Sequence, residues 1–223
     1  MYRVLQPAAI GRDRFEAFCF GRGFKVERKR SYRRTTNSWG VTRFDNLIEG
    51  RELTRVNQVW VSDITYYELE HQTCFLTFII DLYSRRIIGH SVSDSLRTED
   101  TTLPALQQAI RQRKPLPGLI IHSDGGGQYY CKEFLALTRS HQMRNSMCDT
   151  VEGNAHAERL NGTIKNDYVI PYGPKTLPQL RAAVAKAVSM YNHHRPHQAL
   201  GCLSPSTFEA LNTEPNHRAC RIK

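Results

Sequence analysis

Three acidic residues stand in settings that suit a metal-assisted reaction at phosphorus. Asp63 lies inside an apolar, strand-like run, VWVSDITYY (59–67). Asp124 ends a second such run, LIIHSD (119–124), immediately before Gly125, Gly126 and Gly127. Glu158 falls in a helical pattern, NAHAERLNGTIKND (154–167). The separations are 124 − 63 = 61 and 158 − 124 = 34 residues. A carboxylate in an apolar strand is costly unless a cation or a partner compensates it. Three brought together would repel one another, and a pair of Mg²⁺ ions both relieves that repulsion and supplies phosphoryl-transfer chemistry.

Spacing decides which neighbours accompany them. Along a strand the side chains alternate, so Val59, Val61, Asp63 and Thr65 share one face and Trp60, Ser62, Ile64 and Tyr66 the other. On the helix, Glu158, Asn161 and Lys165 fall at i, i+3 and i+7, while Ala157, Leu160, Ile164 and Tyr168 form an apolar stripe. Leu160 is about 200° from Glu158 at 3.6 residues per turn, so the stripe can pack on a sheet while the polar face looks into a cleft. Lys165, with Asn161 and Arg159, is a candidate for holding DNA phosphates beside the ions. The glycines after Asp124 allow a phosphate or a backbone to come close. They are not a P-loop, because no Gly-Lys-Ser/Thr follows.

Other groups admit plainer readings. Asp81 closes a strand pattern and reads as the cap of the turn before Tyr83 and Ser84. His193, His194 and His197 have a spacing that resembles a metal cluster, but no cysteine pair accompanies them and Arg195-Pro196 breaks the helix. A structural or DNA-facing loop fits them better than zinc. Glu152 rivals Glu158, yet it precedes the helix and lacks a lysine seven residues on.

The elements that must position these residues are legible as patterns. Strands are expected at 58–67, 72–81, 86–93 and 119–123, the first three as an antiparallel meander. Helices are expected at 11–21, 100–112, 132–140, 155–168 and 177–193, with a short last one at 205–211 opening on Pro205. Strands first, then a strand among helices, predicts a mixed α/β sheet flanked by helices. The 11–21 helix has Phe15 and Phe18 on its apolar face and cannot bury a core alone. The segment 25–34 is a basic linker in which Lys29, Arg30, Arg33 and Arg34, with Tyr32, are candidates for DNA contact.

Composition agrees with a polyanionic partner. The 223 residues carry 31 Lys and Arg against 21 Asp and Glu, a net charge of +10. Residues 1–55 hold 13 of these cations against 6 acids, a net of +7, so the surplus is mainly N-terminal and the three acids lie outside it. Such a balance suits nucleic acid. The six cysteines include no C-x-x-C pair, which argues against a zinc ribbon, and reduced thiols in a cytosolic protein fit the chain's length. No apolar run is long enough to span a bilayer.

The flanks of the acids carry a resemblance. NQVWVSDITY around Asp63, HSDGGGQY around Asp124 and NAHAERLNGTIKNDY around Glu158 resemble the DDE transposases of the insertion sequence three family, whose OrfB-type members carry a retroviral-integrase-type core. DLYSRRIIG (81–89) and YNHHRPHQALGCLSPSTFEAL (191–211) match the same pattern, so the likeness covers about residues 45–211. It implies a ribonuclease-H-like fold, with Asp63, Asp124 and Glu158 as a catalytic triad binding two Mg²⁺ ions, for which Mn²⁺ can substitute. It implies cleavage of a mobile element's ends and their joining to new DNA, with no covalent protein–DNA intermediate. It divides the chain into a helix-turn-helix-like remnant and basic linker (1–50), the catalytic core (51–212) and a tail (213–223). It also implies a homo-oligomer on DNA, a helix-turn-helix partner from an upstream frame, and a prokaryotic cytoplasmic location, nucleoid-associated when bound to DNA. Two departures stand out. Here 33 residues separate Asp124 from Glu158 where the family commonly has 35. Met1 also begins where relatives usually have more sequence, which reads as a truncated copy or as part of a longer frameshifted product. The alternatives to a transposase are a non-catalytic DNA-binding remnant and a nuclease on the same fold.

Overall fold

The computed structural model describes residues 10–24, 44–148 and 154–212, together with the backbone of Cys220 and Arg221. Its elements in chain order are α1 (Arg12–Gly21), β1 (Glu52–Leu53), β2 (Val59–Glu68), β3 (Thr73–Asp81), β4 (Ile87–Ser93), α2 (Thr102–Arg113), β5 (Ile120–Ser123), α3 (Lys132–Ser140), β6 (Arg144–Met147), α4 (Ala155–Thr163), α5 (Leu177–His194), α6 (Pro205–Leu211) and β7 (Cys220–Arg221). The main sheet has the order β4-β3-β2-β5-β6. The β2–β3 and β3–β4 pairs are antiparallel; β2–β5 and β5–β6 are parallel. A separate two-stranded ladder joins β1 to β7.

Strand alternation sorts the core into two layers. Val59 and Val61 of β2 pack with Phe78 and Ile80 of β3, Ile120 of β5, Leu160 and Ile164 of the α4 segment and Val184 of α5. Trp60 turns the other way, into a cluster with Ile79, Ile88, the α2 residues Ala105, Leu106 and Ala109, Ile121 and Phe134 of α3. Burial of so much apolar surface on both faces is the main force assembling the domain, at about 25 cal/mol per Å². Gly89 of β4 lets α2 come close: a Cβ there would run into the backbone carbonyl of Ala105 and the Ala109 methyl.

Asp81 is buried, and three backbone N–H groups donate to its carboxylate. Asn57 donates to Oδ2 at 2.6 Å; Tyr83 and Ser84 donate to Oδ1 at 3.0 and 3.1 Å. It is the cap of its turn, as the sequence indicates, and is committed to structure.

Two features depart from the sequence reading. The sequence does not predict β6, because Arg144-Asn-Ser-Met offers neither an apolar run nor alternation; pairing with β5 makes it a strand. The α4 helix runs further than 155–168, through a π-type turn (Ile164–Val169) and a last α turn (Ile170–Tyr172), and ends at Gly173 with φ 58°. The wider turn adds a residue per revolution and shifts the phase of everything after Ile164. α1 buries none of its residues; Phe18 is 55% exposed, with the Arg22 guanidinium 5.0 Å from its ring centroid. The basic residues Lys29, Arg30, Arg33 and Arg34, Tyr32 and Glu152 lie outside the described residues.

Candidate functional site

Register brings the first two acids abreast. Val59 of β2 pairs with Ile120 of β5 and Ser62 with Ser123, so Asp63 and Asp124 stand one step beyond the last pair on adjacent parallel strands. Neighbouring strands are about 4.8 Å apart, and two full charges at that spacing repel by about 3 kcal/mol at an effective dielectric of 20. Asp124 closes the strand, and its Oδ1 accepts a hydrogen bond from Gly126 N at 3.1 Å. That turn fixes the carboxylate before the Gly127–Tyr129 turn begins. Burial raises the Asp124 pKa above its ordinary range, and the Gly126 N–H opposes the rise.

Asp63 is the most perturbed of the group. Its pKa rises from 3.8 to about 8, first through burial, then through the charge of Asp124 and, less strongly, of Glu158. The Ile64 N–H and the Asn161 amide oppose the rise. Asp63 thus feels both other acids although they arrive from different elements. Burial likewise keeps the Tyr129 hydroxyl protonated, helped by the charges of Asp124 and Asp63; it meets Ser62 Oγ at 3.0 Å beneath the site.

α4 is fastened to β2 by its own polar side chains. Asn154, 3% exposed, donates to the Ser62 carbonyl at 3.1 Å. Asn161 donates from Nδ2 to Asp63 Oδ2 at 2.7 Å. Lys165 donates to the Tyr66 carbonyl at 3.2 Å and rests over the Tyr66 ring, 4.8 Å from its centroid. Burial lowers the Lys165 pKa. Asn161, a candidate for DNA contact, is 5% exposed and turned onto the first aspartate. Lys165 also lies against β2 rather than standing free in the cleft. Only Arg159 of the three helix candidates is exposed. The physical reason is that burying Ala157, Leu160 and Ile164 on the sheet carries the adjacent polar face down with them.

Glu158 is half-buried on the first turn of the helix. Two residues before it, His156 Nδ1 lies 3.1 Å from Arg85 NH1. Burial, then the charges of Arg85 and Arg159, lower the His156 pKa to about 4, so the imidazole is neutral and accepts from Arg85. Arg85 holds φ 61° in the turn after β3. Asn154, Ser62, Tyr129 and the Arg85–His156 contact escape the sequence reading. Asn154 opens the quoted helical motif, but nothing in spacing tells that an amide will reach a carbonyl 92 residues away.

Among the described residues no three carboxylate, imidazole or thiolate groups lie close enough to form a closed metal cage. The donor chemistry nevertheless fits a hard divalent cation, which takes carboxylate oxygens and commonly completes its shell with water and substrate phosphate rather than an all-protein cage. The histidines do not gather. His193 Nδ1 lies 2.9 Å from the Ser189 carbonyl of its own helix, and its ring is 6.4 Å from that of His194. His197 instead packs edge-on to Tyr191, and burial, then the charges of Arg195 and Arg85, lower its pKa to about 4.

Comparison with known proteins agrees with this geometry. The sequence matches two models of an integrase core domain, over residues 54–152 and 142–205. It is 30% identical over 204 residues to the 31 kDa protein of insertion element IS600 from Shigella sonnei, covering 89% of this chain and 75% of that one. It is 34% identical over 163 residues to the transposase InsF of insertion sequence IS3A from Escherichia coli strain K12, covering 70% of this chain. Of InsF it spans 55%, about half the length. The fold is similar to that of the HTLV-2 integrase catalytic core domain in complex with magnesium, with a TM-score of 0.55, 23% identity and coverage of 73% of this chain and 98% of that one. It is also similar to a chain of the simian T-cell lymphotropic virus intasome in complex with the PP2A regulatory subunit B56 gamma, with a TM-score of 0.64, 17% identity and coverage of 82% and 64%. The mixed sheet with helices on both faces is the ribonuclease-H-like arrangement of these integrase cores.

Proposed function

This chain belongs to the insertion sequence three family of DDE transposases, and from that membership we propose that it cuts the ends of a mobile element and joins them to target DNA, with Asp63, Asp124 and Glu158 as its acidic triad. The observation that carries the residue assignment is the parallel register that sets Asp63 beside Asp124, with the charge of Glu158 felt at Asp63.

In the first step water attacks phosphorus in line, the P–O3′ bond breaks, and a 3′-hydroxyl is released. In the second, that hydroxyl attacks a phosphorus of the target, one phosphodiester is exchanged for another, and the target's own 3′-oxygen leaves. Two Mg²⁺ ions, or Mn²⁺ in their place, would supply Lewis-acid polarisation of the phosphoryl oxygens and ease deprotonation of the attacking group. Asp63 and Asp124 would hold them from adjacent strands and Glu158 from α4. Asn161 steadies Asp63 in one orientation through its amide. Asn154 pins the start of the helix so that Glu158 approaches from a fixed direction. The glycines after Asp124 leave room for the DNA backbone.

Two element ends must be held together for such a reaction, so the reading includes an assembly of at least two protomers on DNA. It also includes a helix-turn-helix partner from an upstream frame, a cytoplasmic location with nucleoid association when bound, and a division at about residues 50 and 212 into a basic DNA-contacting segment, the core and a tail. Among the described residues no helix is long and apolar enough to cross a membrane.

The test is joining of duplex carrying the element's terminal sequence to a plasmid, in Mg²⁺ or Mn²⁺. Asp124→Asn should abolish joining while DNA binding survives. Glu158→Gln should do the same, and Glu152→Gln should leave joining intact. Joining by Asp124→Asn at the wild-type rate sinks the triad. Hydrolysis without any joining by the wild type would identify a nuclease instead.

A further inference from the structure

A basic cavity lies away from the acids, at the opposite ends of the same two strands. Its volume is about 630 Å³, and it is walled by the approaches to β2 and β5, the end of α2 and one side of α6. Five cationic side chains, Arg51, Arg55, Arg86, Arg113 and Lys114, line it against a single carboxylate, Glu209. The inner pair already demonstrates the binding chemistry. Arg86 NH1 donates to Glu209 Oε2 at 2.6 Å and Arg113 NH2 to Oε1 at 2.5 Å, so two guanidiniums grip one oxyanion. Burial works against the Glu209 charge, but the donors from Arg113, Ser84 and Arg86 hold its pKa below the usual carboxylate range. That single negative charge is committed to the inner pair. Arg51, Arg55 and Lys114 are exposed at the rim.

The rim is rigid. Gln58 Oε1 accepts from Thr54 N at 2.7 Å and Arg55 N at 2.9 Å, and Asn57, at φ 60°, is tied through its N–H to Asp81. On the far wall Lys114 ends α2 at φ 44°, and the Gly118 N–H donates to the Gln142 carbonyl at 2.8 Å. Cations carried on a hydrogen-bonded backbone repel one another, and an anion placed among them relieves that repulsion.

We propose that this cavity is a phosphate site, taking a backbone phosphate of DNA bound apart from the scissile bond. Asp63 is five positions on from Gln58, which immediately precedes β2, about 16 Å at strand rise, or about five base-pair steps of duplex. A phosphate in the cavity is therefore not the one undergoing reaction. The exposed rim cations suit a polymer lying across the opening, with the guanidinium pair behind them. The proposal rests on the reading that this chain acts on DNA.

The experiment measures the affinity of the full chain for a non-specific duplex between about 50 and 200 mM NaCl, without divalent ions. The rim triple Arg51→Gln, Arg55→Gln, Lys114→Asn is compared with a charge-matched control, Arg111→Gln, Lys175→Gln, Lys186→Gln. Asn at 114 suits the left-handed backbone there. Each phosphate no longer neutralised lowers the slope of log K against log salt by about 0.9, so loss of the one held in the cavity should make the slope of the rim triple shallower by about 0.9 and its affinity at least about tenfold weaker at the lowest salt. The control should change neither, and thermal melts should match. An unchanged slope in the rim triple overturns the cavity while leaving the DNA reading intact. An equal loss in the control overturns it too, since the effect would then be one of net charge. If inorganic phosphate or dAMP binds the wild type and not the rim triple while duplex binding is untouched, the site serves a free phosphate and the DNA assignment fails. Absence of duplex binding by the wild type defeats the cavity proposal and the DNA reading together.

Discussion

Replacing Asp63 by Asn should stabilise the metal-free protein at alkaline pH, by an amount set by the site itself. The carboxylate titrates near 3.9 in an unfolded chain and at about 8 when folded, where burial, Asp124 and Glu158 disfavour its charge. Below about pH 4 both states carry the proton and the group costs nothing. As pH rises toward 8 the unfolded chain gains its charge freely while the folded one resists, so folding is progressively penalised; above about 8 the penalty is complete. A rise from about 4 to about 8, at about 1.36 kcal/mol for each step of one in pKa, sets a ceiling of roughly 5–6 kcal/mol. Asp63 lies in a partly open cleft beside a second acid, and screening by entering water leaves about 2–3 kcal/mol as a working figure. At about 2–4 °C per kcal/mol for a chain of this size, Asp63→Asn should raise Tm by about 5–10 °C at pH 8.5 in a chelator. The gain should shrink steadily as pH is lowered toward 5. The new amide oxygen can still accept from Asn161. Mg²⁺ should raise the Tm of the wild type and leave the variant's nearly unchanged. Scanning fluorimetry across pH reads all of this. A variant no more stable than wild type at pH 8.5, or a gain indifferent to pH, would refute the claim that the three acids crowd one another.

Further outcomes follow from single contacts. Gly89→Ala forces α2 away from β4, since the new methyl meets the Ala105 carbonyl, and should cost about 2–4 kcal/mol in urea unfolding. Asp81→Ala leaves three buried N–H groups without their acceptor; a loss of about 3 kcal/mol is expected, with the joining rate per folded molecule unchanged. Asn161→Ala removes a donor that favours ionised Asp63, so the Asp63 pKa should rise further and the acidic limb of the pH–rate profile should move to higher pH. An unmoved limb would show that the amide contact is incidental.

The contrast between Asp63 and Asp81 shows what packing adds. Both are acids in strand patterns, and local sequence separates them only through their turns. Asp81 precedes a turn whose N–H groups need an acceptor, and that is visible in Leu82-Tyr-Ser-Arg. What distinguishes Asp63 is Asp124, 61 residues on, and no local pattern contains that distance.

By itself the sequence determined the strands and helices with apolar periodicity and the basic balance of charge, because burial of alternating or 3.6-spaced residues is a local demand. It also carried the family likeness in its motifs. Tertiary structure alone decided the pairing register that sets Asp63 abreast of Asp124, the strand status of Arg144–Met147, and the inward turn of Asn161 and Lys165. It also decided the gathering of Arg86, Arg113 and Glu209 from three separate stretches of chain. Such arrangements arise when surfaces distant in sequence compete for the same buried space, and the winner depends on the whole assembled core rather than on any window of residues.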